Sequence, residues 1–146
     1  MEQYIAERML RFSDCDPSGI AYFPSYLNLL NGVVEDFWEF LGVPLTQLIT
    51  TRRIGTPTVQ LECQFMRPAL FGERLTFMLR VTKVGRSSLH FAHRITGADG
   101  LKWSARQVVV ATSLNEHRAI SWPEDVRESL RRHFPTPMST TTTEPA

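Results

Sequence analysis

Two cysteines in 146 residues, Cys15 and Cys63, are too few for a disulfide framework, and their spacing matches no metal site. The four histidines, His90, His93, His117 and His133, also lack metal-ligand spacing. No apolar run approaches membrane-spanning length, and the opening MEQYIAERMLRF has no apolar leader core, so a cytoplasmic protein is expected. A net charge of +1 offers no electrostatic footprint for nucleic acid or an anionic membrane. No internal repeat is present. What is left is the composition of an ordinary globular domain, 42% hydrophobic and 21% charged. One domain is expected over residues 1–134, followed by a Thr-, Pro- and Ser-rich tail, 135–146, with the composition of a disordered segment.

The strongest pattern lies in the first third of the chain. Tyr26, Leu29, Leu30, Val33, Val34, Phe37, Trp38 and Leu41 recur at the i, i+3, i+4, i+7 spacing of one helical face. Leu27 and Phe40 widen that face, leaving a narrow polar stripe of Asn28, Asn31, Gly32, Glu35, Asp36 and Glu39. A helix from Ser25 to Leu41 would be about 25 Å long, the width of a small domain, and one so apolar must be wrapped.

Ahead of this helix, Asp14 and Asp16 lead into Pro17-Ser18-Gly19, the signal of a tight turn. Pro24 suits the first helical position, where a missing N–H is harmless. Phe23 then stands at the helix entrance, among backbone N–H groups unpaired within the helix, and that positive end favours negative charge. From spacing alone Asp16 has two readings. It organises its own Asp-Pro turn, or it presents a carboxylate at the mouth of the helix.

The remainder reads mainly as strands. Residues 3–11 form a first, weakly alternating one, and Pro44 to Thr51 a short helical turn. From Thr58 the alternation is clean: Val59, Leu61, Cys63 and Phe65 face one way, and Thr58, Gln60, Glu62 and Gln64 the other. Leu75, Phe77, Leu79 and Val81, then Leu89, Phe91, His93 and Ile95, then Leu101, Trp103, Ala105, Gln107, Val109 and Ala111 define three further inward faces. Gly97-Ala98-Asp99-Gly100 makes a hairpin loop between the last two. His93 on its apolar face reads as a satisfied core histidine, and Cys63 as a small core residue. Pro123 to His133 forms a charged surface helix with Pro123 at its first position. The class is α+β: a five-stranded antiparallel sheet curved around one central helix. A single sheet covers only part of that helix, so a partner subunit should cover the rest and at least one sheet edge. An obligate dimer, or a dimer of dimers, is expected.

The block Asp14-Cys15-Asp16-Pro17-Ser18-Gly19-Ile20, followed by Tyr22-Phe23-Pro24-Ser25-Tyr26, resembles the 4-hydroxybenzoyl-CoA thioesterase family of hotdog-fold proteins. The order strand, helix, four strands is similar too, with support at Gly55-Thr56-Pro57, Phe65 to Leu75 and Arg118-Ala119-Ile120. The resemblance implies a homotetrameric acyl-CoA thioesterase, acting on an aromatic or short acyl group, without metal and with CoA entering only as part of the substrate. It implies that Asp16 is the catalytic carboxylate, nucleophile or general base, and that the Phe23 N–H is the oxyanion donor. It places Asn31 against the acyl ring substituent, where the family's aromatic-acyl enzyme has an aspartate. Thr56 and Tyr22 fall with the acyl-binding positions, and Arg86 and Arg118 with the CoA phosphates. Arg86 is flanked here by Gly85 and Ser87, where the family has basic residues. Glu35 is the reserve carboxylate, since related subfamilies use a helix carboxylate. Two other classes share the fold: hydratases or dehydratases, whose acid–base pair usually includes a histidine absent near Asp16, and non-catalytic acyl-binding or acyl-carrier-interacting modules, which need no carboxylate at this position.

Overall fold

The long helix is present, and its burial follows the periodicity. In the computed structural model, which describes residues 3–135, α1 runs from Phe23 to Phe40. Tyr26, Leu30, Val33, Val34, Phe37 and Trp38 are buried, while Asn28, Asn31, Glu35 and Glu39 are exposed. Pro24 occupies the second helical position, one residue deeper than expected, because Tyr22 in extended conformation already starts the helix. Gly42, at φ +82°, ends it by donating to the Glu39 carbonyl at 3.0 Å.

Five strands form the main sheet: β1 (Tyr4–Met9), β3 (Thr58–Phe65), β4 (Arg74–Val84), β5 (Ser88–Gly97) and β6 (Gly100–Val110). Their spatial order is β1-β4-β5-β6-β3, every pairing antiparallel. This is the expected sheet wrapped on a helix. A second sheet of three two-residue strands, β2 (Ile54–Gly55), β7 (Thr112–Ser113) and β8 (Arg118–Ala119), was not expected, since two residues carry no readable alternation. Short helix α2 spans Leu45–Thr50, and α3 spans Glu124–His133 with Pro123 just outside it as N-cap. Beyond Pro135, the expected tail lies outside the described residues. Among the described residues, no helix is long and apolar enough to cross a membrane.

The core divides along α1. Tyr26, Leu30 and Val33 pack with Leu75, Phe77, Ile95 and Trp103 around its first half. Val34, Phe37 and Trp38 pack with Val81, Phe91, Val109, Trp122 and Leu130 around its second half. One expectation is corrected, and one residue lies against its pattern. Thr58 does not share a face with Glu62 and Gln64: the ladder to β6 shifts register between Thr58 and Gln60, so Val59 is an extra residue and Thr58 turns toward the helix. Lys102, outward by alternation, is only 2% exposed, its Nζ lying 3.0 Å from Glu73, 2.6 Å from Asp99 and 3.0 Å from the Pro68 carbonyl. Those three acceptors satisfy the ammonium that burial would otherwise penalise.

Candidate active site

The segment before α1 folds as a hydrogen-bonded turn rather than an open loop. Asp16 N–H donates to the Ile20 carbonyl at 3.0 Å and Gly19 N–H to the Asp16 carbonyl at 3.0 Å. Gly19, at φ +81°, closes the turn in a conformation that glycine adopts without strain. Tyr22 N–H donates back to Asp14 at 2.8 Å, while Ala21 and Phe71 N–H groups tie the turn to the loop after β3.

Within that turn Asp16 Oδ1 accepts from the Ser18 N–H at 2.9 Å and from the Ser18 hydroxyl. These bonds hold the Asp16 carboxyl below its ordinary pKa, the hydroxyl being the larger influence, so it is ionised at neutral pH. Both go to one oxygen. Oδ2 has no hydrogen-bond partner among the described residues. Around the turn stands an uncovered apolar rim of Phe12, Tyr22, Phe23, Leu70 and Phe71. The backbone N–H of Phe23, first in α1, makes no hydrogen bond among the described residues, as a first-turn donor in a helix must unless a ligand or cap meets it.

From Phe23 a groove of about 490 Å³ runs along α1 past Leu27, Asn28 and Asn31 and is walled opposite by Thr58 and Leu61. That volume suits a small acyl group. Asn31 is therefore in the groove. Thr56 lies half-buried in the connection before β3, and the residue that lines the groove is Thr58. Gln107 lines it as well, the only polar residue in the inward series of β6 and one that the resemblance does not assign to the site.

Arg86 and Arg118 are elsewhere. Arg86 is exposed in the β4–β5 turn, where its carbonyl accepts from Trp122 N–H at 3.0 Å, and Arg118 is exposed in β8, paired with Glu116 at 2.6 Å. The Arg86 carbonyl thus meets Trp122 of the core around the second half of α1, and Ile120, two residues after Arg118, packs against the same core, while Asp16 and Phe23 precede the first half. Glu35 is exposed on α1 and outside the groove lining. Among the described residues no group of His, Cys, Asp and Glu could hold a metal ion. The arrangement thus offers an ionised carboxylate and a free backbone donor near the head of a helix, with a groove leading away from them.

A family model for the thioesterase-like superfamily matches residues 10–130. The chain is 27% identical over 123 residues to the 1,4-dihydroxy-2-naphthoyl-CoA hydrolase of Nostoc punctiforme, covering 84% of this chain and 78% of that protein. It is 27% identical over 92 residues to the 4-hydroxybenzoyl-CoA thioesterase of Pseudomonas sp. strain CBS-3, covering 62% of this chain and 65% of that protein. The three-dimensional structure of 4-hydroxybenzoyl-CoA thioesterase from that strain superposes with a TM-score of 0.79 at 26% identity, over 88% of this chain and 99% of the other.

Proposed function

Because the chain belongs to the thioesterase-like superfamily, with the hotdog fold, we propose that it is an acyl-CoA thioesterase that hydrolyses an aromatic or short acyl thioester to the free acid and CoA. The observation that carries this reading is the Asp16 carboxylate, ionised through Ser18 and with Oδ2 open, placed shortly before the unpaired N–H of Phe23. Oδ2 attacks the thioester carbonyl carbon, and the developing oxyanion takes the Phe23 N–H, a donor worth roughly 3 kcal/mol in acyl transfer. The C–S bond breaks, CoA leaves as thiolate, and the mixed anhydride on Asp16 is hydrolysed by water. A lowered pKa makes a poor general base and an always-charged nucleophile, which favours attack over activation of water. The acyl group lies in the groove, with Asn31 and Tyr22 on its path, and Arg86 and Arg118 take the CoA phosphates.

The reading includes a homodimer, assembled further as a dimer of dimers, and the cytoplasmic location expected from the sequence. Supporting it, edge strand β3 leaves Val59 59%, Leu61 39% and Phe65 44% exposed, next to the 58% exposed Phe23. Apolar side chains along an open sheet edge need a cover.

Thiol release across a panel of acyl-CoA thioesters is the test, with Asp16→Asn beside the parent. Expected is loss of turnover by a factor of about a thousand or more with acyl-CoA binding kept. In single turnover in labelled water, label enters the Asp16 carboxylate. Unchanged turnover in the variant would move the chemistry to Glu35 or another group; label in Asp16 marks an anhydride opened by water at the aspartyl carbon, and label in the released acid alone would mean that water attacks the acyl carbon.

A further inference from the structure

The bulge at Val59 aims a hydroxyl into the groove. Thr58 pairs with Val109, whose side chain is in the core, and Gln60 pairs with Val108, so the extra residue turns Thr58 to the same side as Leu61 and Gln107. Without the bulge Thr58 would face away from the helix. Behind it the Gln107 side chain, 5% exposed, donates from Nε2 to Thr58 Oγ1 at 2.9 Å. Gln107 Oε1 lies 2.8 Å from Nε2 of His93, which is 2% exposed. A carbonyl oxygen can only accept, so the His93 Nε2 carries the proton. Burial pushes the imidazole pKa down to about 4, which keeps the ring neutral and the chain His93 to Gln107 to Thr58 pointing one way at neutral pH. At its end, Thr58 Oγ1 already accepts from Gln107, and its own hydrogen is given to no acceptor among the described residues.

We propose that the Thr58 hydroxyl, oriented by Gln107 and His93, donates a hydrogen bond to an oxygen carried on the acyl group, so that the groove selects oxygen-substituted aromatic thioesters over unsubstituted ones. This rests on the thioesterase reading of the groove and assigns its selectivity to a residue on the strand wall.

The test compares kcat/KM for benzoyl-CoA and the three monohydroxybenzoyl-CoA isomers in the parent, Thr58→Val and Thr58→Ser. In the parent at least one hydroxylated isomer is favoured by about tenfold or more, as for a site built to bond a substrate oxygen. Thr58→Val, of the same shape, brings that ratio to within about twofold of unity, and Thr58→Ser restores it. A ratio that survives in Thr58→Val overturns the proposal. Titration with inert thioether analogues of the same four ligands separates the two readings. If no thioester is hydrolysed, the thioesterase reading fails, yet the analogues still decide on Thr58. Equal affinities in the parent, or discrimination kept in Thr58→Val, would end the proposal.

Discussion

Ser18 lets Asp16 hold its turn and remain reactive at once. Oδ1 takes both Ser18 bonds and Oδ2 takes none, so turn organiser and carboxylate at the helix mouth are roles for different oxygens of one side chain. His93 is the other residue whose charge is set by its surroundings. Burial holds its pKa at about 4 in the fold against an ordinary value of 6.5, so on acidification the unfolded chain takes up this proton first. Its contribution to stability is complete above pH 6.5 and is lost as pH falls toward 4, by up to about 3 kcal/mol. Urea unfolding between those limits should show stability rising with pH, with much of that slope gone in His93→Gln. A slope of equal size in the variant would assign it to carboxylates instead.

At the scale of elements, α1 is the most legible part of the chain and the most heavily built upon. Phe37 is fully buried and meets the rings of Tyr4, Trp38, Phe91 and Phe134. Phe37→Ala should therefore cost about 4 kcal/mol of unfolding free energy, whereas Asn28→Ala on the exposed stripe should change it by under about 0.5 kcal/mol. Denaturant titration of the two variants checks this, and comparable losses would contradict the burial pattern. The sequence was readable wherever one periodicity ran for two turns or several alternations, which covers α1, the five long strands and α3. It was not readable where the decisive interaction was non-local. The bulge at Val59 depends on pairing with β6 and reverses the face of Thr58, and Lys102 is buried only because Glu73, Asp99 and Pro68 converge on it. Strands β2, β7 and β8 are too short to carry a pattern. At the site, the turn motif led to Asp16 and Phe23, and the polar stripe to Asn31. Gln107 was the lone polar residue among inward apolar neighbours, a signal that could have been followed.

At the scale of the molecule, the chain does not bring its own candidate groups together. Asp16 and Phe23 lie before the first half of α1, and Arg86 and Arg118 around the core of its second half, about 27 Å of helix being laid out between the two ends. A two-fold axis through the open β3 edge would run the two helices antiparallel and set the Asp16 end of one protomer near the arginine end of its partner. In such a dimer each site takes its carboxylate from one chain and its phosphate-binding arginines from the other. Co-expressing Asp16→Asn with an Arg86→Ala, Arg118→Ala double variant then forms heterodimers in which one site carries both lesions and the other carries none. At subsaturating acyl-CoA, the mixed sample should recover about a quarter of parental activity, since half the dimers are mixed and half their sites intact. Activity no greater than the average of the two separate variants would mean that the arginines serve the carboxylate of their own chain, or neither, and the shared site would have to be abandoned.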